Sequence, residues 1–157
     1  MPSRLKYWIP AFCVAALISV FSTHYFSGEQ TAGVLIPILH RLFPYASMHT
    51  LSRMHTGIRK LAHVIEFGVF SIAVFHGVRA ERSGWKFQWA ALTLLIAASY
   101  AGLDEWHQSF VPLREPRLRD VLIDTTGALL AQMLVWIYAK LHKNSPPSGE
   151  PLELRVN

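Results

Sequence analysis

Apolar residues in this chain come in blocks broken by short charged stretches, unlike the regularly spaced apolar positions of a soluble domain. A helix needs about 20 mostly apolar residues to cross about 30 Å of hydrocarbon. Four blocks meet that requirement: Tyr7 to Phe26, Leu61 to Val78, Trp85 to Leu103 and Val121 to Leu141. A fifth, Ala32 to Phe43, is too short to cross and is split by Pro37, which suits an interfacial or re-entrant helix. The predicted fold class is therefore all-α, a polytopic transmembrane helical bundle of four spanning helices plus that short one. It divides into an N-terminal transmembrane helix (1–30), a connecting segment (31–56), a three-helix core (57–142) and a tail (143–157) expected to be disordered.

Composition supports the membrane reading, with 52% hydrophobic and only 16% charged residues in 157. The basic start resembles a signal peptide, but the apolar block is long and His24-Tyr25-Phe26 is a poor small-residue cleavage site, so an uncleaved helix is expected. Cys13 is the only cysteine, which excludes an intramolecular disulfide and a thiolate metal site; it reads as a small helix-packing residue. The net charge of +5 comes from basic residues capping apolar blocks, which points to anionic lipid head groups and not to nucleic acid. Basic residues divide almost evenly between the two faces. However, the 79–86 loop and Lys140–Lys143 look like simple topological anchors, which favours both termini in the cytoplasm.

Ionisable groups within or beneath a bilayer surface are costly, so the three clusters of them stand out. They are Arg59-Lys60-x-x-His63-x-x-Glu66-Phe67, Asp104-Glu105-x-His107-Gln108-x-Phe110-Val111-Pro112-x-Arg114, and Asp120-x-x-x-Asp124-x-x-Gly127. The second span begins, the third ends and the fourth begins at one face, so the clusters should gather there, on the extracytoplasmic side. Residues three and four apart share a helix face, which aligns Lys60, His63, Glu66 and Phe67, then Asp104 with Gln108, then Asp120, Asp124 and Gly127. The bare Gly127 allows close approach of a neighbouring helix, and Phe67 and Phe70 should wall the pocket from below.

His63, Glu66, Asp104 and Glu105 are the candidate catalytic residues, as general acids and bases. Lys60, Gln108, Arg114, Arg117, Asp120 and Asp124 are the candidate ligand-binding residues, with the cations suited to a phosphate or carboxylate. A metal site competes, because carboxylates with imidazole suit several divalent ions. Di-iron bundles, however, use paired Glu-x-x-His motifs, and here His63-x-x-Glu66 runs in reverse with no second copy. No metal ligand is assigned and the cofactor stays open. The structural alternative is that basic residues snorkel, Asp120 caps a helix, and the buried carboxylates join helices as a polar network.

His24, His40, His49, His55, His76 and His142 lack carboxylates at helical spacing and read as surface or interfacial residues, whereas His107 is ambiguous. Trp8, Trp85, Trp89, Trp106 and Trp136 suit interfacial belts. No internal repeat, phosphate-binding loop, dinucleotide fingerprint or nucleophile elbow is present.

The three clusters, in order and at these spacings, resemble the VanZ-like family of small multi-helix membrane proteins, named after an accessory protein of glycopeptide resistance. The resemblance runs from about Gly57 to Lys140. The family pattern often has Asp, Tyr and Gly where this chain has Arg59, Phe67 and Leu113. The missing phenol at Phe67 argues against an obligatory proton donor there, and Arg59 shifts the local balance toward anions. The resemblance implies a location in the bacterial cytoplasmic membrane, a helical bundle and an influence on sensitivity to antibiotics such as teicoplanin; it brings no established reaction.

Two functions follow as expectations. In the first, a cell-envelope protein binds or modifies an anionic, lipid-linked or peptidoglycan-related ligand in the clustered pocket. In the second, a non-enzymatic interaction protein uses the polar network structurally and serves a protein partner or a second copy of itself. A transporter ranks third, since four spans leave little room for alternating access. Membrane lipids are partners in every case.

Overall fold

The computed structural model describes residues 4–110 and 117–142. Regular structure among them is entirely helical: α1 (Ile9–Phe21), α2 (Gly28–Leu42), α3 (Met48–Arg79), α4 (Phe87–Gln108) and α5 (Leu118–His142), with 3₁₀ turns at Arg4–Trp8 and His24–Phe26. Among the described residues, three stretches are long and apolar enough to cross a membrane, namely Arg4–Phe21, Met48–Arg79 and Leu118–His142. The expected third span, now α4, is not among them. Gln88, Thr93, Ser99 and Tyr100 dilute its apolar content. The expected tail and Arg114 lie outside the described residues.

Side-chain chemistry at the helix ends sets the boundaries. The Ser27 hydroxyl accepts from the Gln30 N–H at 3.5 Å to start α2, and the Ser47 hydroxyl accepts from the Thr50 N–H at 3.2 Å to start α3. Pro37 does not split α2 as expected from its position, because the helix continues through it to Leu42. The carbonyl that a proline ring crowds belongs to the residue four positions earlier, here Gly33, whose backbone can yield. The polar run before Leu61 is also helical. α3 begins at Met48 and, with 32 residues, is about 48 Å long, so one part extends beyond a hydrocarbon layer of about 30 Å.

α3 is the central helix, packing against α1, α2, α4 and α5. Phe67, Phe70 and Val74 of α3 are buried with Ala97 and Ala101 of α4 and Ala128 of α5. Small residues on α4 and α5 let the backbones come close, the usual solution where lipid offers no hydrophobic drive between helices. A Cβ on Gly127 would overlap the Val64 carbonyl oxygen, and one on Gly68 would sit 3.5 Å from the Gly127 oxygen. The α3–α5 seam also holds a polar joint: Ser71 Oγ donates to the Ala128 carbonyl at 3.1 Å, and Gln132 Nε2 donates to Ser71 Oγ at 2.9 Å.

α1 is held at its middle and at its start. The Tyr100 hydroxyl donates to the Ala15 carbonyl at 2.7 Å, and its ring packs on Phe70 with centroids 4.8 Å apart. Trp8 covers Gly77, where a Cβ would come within 2.7 Å of the indole. The outer surface keeps large apolar side chains exposed, among them Leu95, Leu122 and Leu134, as suits a bundle immersed in lipid. Cys13 is exposed on that surface, so the packing role expected for it does not hold.

Candidate functional site

Helix parity brings the three clusters together. α3 passes the site near Lys60, α4 ends there at Gln108, and α5 begins there at Leu118. A cleft of about 670 Å³ opens at this end, lined by Lys60 and His63 from α3, Glu105 and Gln108 from α4, and Arg117, Asp120 and Asp124 at the start of α5. Seven of the ten expected site residues therefore share one wall. Glu66 instead faces a neighbouring groove, Asp104 is buried behind Gln108, and Arg114 lies outside the described residues.

The joints around the cleft are specific. Gln108 Nε2 donates to Asp104 Oδ2 at 2.6 Å and to Ser22 Oγ at 3.1 Å, which ties the end of α4 to the end of α1. Glu105 Oε1 accepts the Arg117 backbone N–H at 2.5 Å, fixing the chain just before α5. Both carboxylates are buried, so these bonds occupy oxygens that solvent does not reach. Across the α3–α5 seam, His63 Nδ1 stands 3.6 Å from Asp124 Oδ1 and 3.9 Å from Glu66 Oε2. Both carboxylates approach the same ring nitrogen, at ion-pair and not hydrogen-bond distance.

The cations are distributed asymmetrically. Lys60 has no ion-pair partner among the described residues and faces the cleft with Arg117 and Arg119. Arg119 was not singled out from sequence; its position one residue before Asp120 was the signal that could have found it. Arg59 is engaged differently. Its Nη1 donates to the Phe26 carbonyl and to Thr31 Oγ1, both at 2.9 Å, holding α2 against α3 while the same side chain borders the cleft.

His55, expected at the surface, is only 6% exposed, and its Nε2 lies 3.1 Å from Thr31 Oγ1. Burial against α2 accounts for this departure, since its partner comes from another helix and not from its own spacing. His107 is exposed and does not line the cleft. No group of three or more His, Cys, Asp or Glu among the described residues is arranged to hold a metal ion.

A second recess adjoins the cleft. This groove of about 280 Å³ is walled by Phe21, Phe26, Leu35, Ile58 and Ala62, with Thr31, Arg59, His63 and Glu66 along one side. Arg59 and His63 border both cavities, so the polar cleft and the apolar groove meet along α3.

The family model described as VanZ/LLP1 matches residues 7–139. No curated protein matches the chain, and no solved structure does.

Proposed function

The chain belongs to the VanZ/LLP1 family of membrane proteins, and we propose that it binds an anionic amphiphile, a lipid-linked phosphate or cell-wall precursor, at one membrane face. The observation that carries this reading is the shared wall: Arg59 and His63 border both a cation-bearing polar cleft and an apolar groove. Lys60, Arg117 and Arg119 would meet the charged head, with arginine able to grip a phosphate through two N–H groups. Phe21, Phe26, Leu35 and Ile58 would take the start of the hydrocarbon chain. Asp104 and Glu105 act as positioning residues in this reading, because Gln108 and the Arg117 N–H already engage them.

Four spans fit this proposal. α4 joins the Arg79 end to the cleft end beside α3 and α5, and its 22 residues cover about 33 Å. The termini and the 79–86 loop then share the cytoplasmic side of a bacterial cytoplasmic membrane, with the cleft outside.

A second reading, acid–base chemistry on the bound ligand, draws on one observation, the approach of Asp124 and Glu66 to the His63 Nδ1. A purely structural network, serving a partner or a second copy, draws on the Asp104–Gln108–Ser22 joint.

The test is retention of a polyprenyl phosphate, with the matching polyprenol as control, read by native mass spectrometry of detergent-solubilised protein. The phosphate should be retained over the alcohol, and Lys60→Gln with Arg117→Gln should remove that preference. Equal retention of both compounds would contradict the proposal.

A further inference from the structure

The opposite end of the bundle carries a recess of different chemistry. It measures about 700 Å³ and lies between the α3–α4 turn and the last turns of α5. Arg79, Lys86, Lys140 and His142 line it, and no carboxylate does among the described residues. The nearby Glu81 is engaged elsewhere, accepting the Tyr7 O–H at 3.0 Å.

Two indoles shape the opening. Trp85 and Trp136 meet edge to face with centroids 6.5 Å apart, and the Lys140 ammonium stands 4.3 Å from the Trp136 ring centroid. Phe75 and Val135 supply apolar wall. Arg79 Nε and Trp85 Nε1 are buried and have no hydrogen-bond acceptor among the described residues. Buried donors without acceptors are rare in folded proteins, and each one calls for an explanation. Here both belong to side chains lining the recess, and a ligand with acceptor oxygens would satisfy them.

We propose that this recess binds the phosphate head group of an anionic phospholipid. Three cationic side chains, Arg79, Lys86 and Lys140, select negative charge with no facing carboxylate among the described residues, and the Arg79 and Trp85 N–H groups offer hydrogen bonds to phosphate oxygens. Tryptophan is the residue ordinarily enriched at the head-group layer, and two line this recess. Basic pockets between spanning helices are a recognised way to hold such lipids. The apolar wall distinguishes a lipid from free phosphate, since only a lipid brings hydrocarbon to Phe75 and Val135. This site is independent of the cleft at the other end.

Native mass spectrometry of the full chain in detergent would test it, with phosphatidylglycerol, phosphatidylcholine or inorganic phosphate added in turn. Phosphatidylglycerol should be retained preferentially. Lys86→Gln and Lys140→Gln, both at exposed positions, should each weaken retention about fivefold, the effect of one basic residue at an anionic surface. Arg79→Gln provides a second variant, with circular dichroism to check that the helices persist. Equal retention of the two phospholipids, or unchanged preference in the doubly substituted Lys86→Gln/Lys140→Gln chain, would overturn the proposal. Displacement of the lipid by inorganic phosphate at matching concentration would also overturn it, by assigning a free-anion site.

Discussion

Gly127 of α5 lies against the backbone carbonyl of Val64 on α3, so closely that a Cβ there would overlap the oxygen. One turn along α5 toward the cleft, Asp124 comes within 3.6 Å of His63, the residue preceding Val64. The missing side chain at position 127 and the His63–Asp124 approach are therefore two results of one helix crossing. The packing that lets α3 and α5 close also assembles the cleft.

Gly127→Ala should force the two helices apart. Overpacking a tight contact costs about 1–3 kcal/mol, and the obstacle here is backbone that cannot rotate away. The expected outcome is a lower midpoint of thermal unfolding in detergent together with loss of ligand retention. An unchanged midpoint would show that the crossing tolerates a methyl group.

Arg59→Gln removes a side chain that bonds the Phe26 carbonyl and Thr31 on either side of Ser27. Hydrogen bonds from a charged donor contribute about 1.5–3 kcal/mol each. Amide hydrogen exchange around residues 24–31 should accelerate while the α3–α5 seam stays protected. Uniform acceleration across the bundle would contradict this local role.

Asp104→Asn should fold normally, since the side-chain carbonyl still accepts from Gln108. Asp104→Leu leaves both Gln108 and the Ser22 joint without that anchor and should lose about 1–3 kcal/mol. Unfolding followed by tryptophan fluorescence would separate the two variants. Equal losses would mean that the charge, and not the hydrogen bond, holds the end of α4.

Gln132→Leu probes the seam away from the cleft. It removes the donor to Ser71 Oγ, and interhelical hydrogen bonds in membranes contribute about 0.6 kcal/mol on average. A small loss of thermal stability with full ligand retention is expected. Loss of retention would show that the two parts of the seam are coupled.

Much of this arrangement was legible because helical spacing and the alternating direction of successive helices are simple geometry. Residues three and four apart placed Lys60 with His63, and Asp104 with Gln108. The alternating direction of successive helices then brought α3, α4 and α5 to one end. Contacts between helices were less legible. Nothing in its own helix's spacing predicts that His55 meets Thr31, or that Glu105 holds the backbone N–H of Arg117. The polar stretch before Leu61 carries no apolar block, so the early start of α3 did not show. The separation of Glu66 into the apolar groove depends on where α1 and α2 lie, which spacing along α3 does not contain.

The most direct test of the central claim is photo-crosslinking with a polyprenyl phosphate that carries a diazirine near the head of its chain. Peptide mapping should place the adducts on the groove residues Phe26, Leu35 and Ile58, and excess unlabelled polyprenyl phosphate should suppress them where the polyprenol does not. Adducts spread over the lipid-facing surfaces of α4 and α5, or equal suppression by the uncharged alcohol, would contradict a site that binds head and chain together.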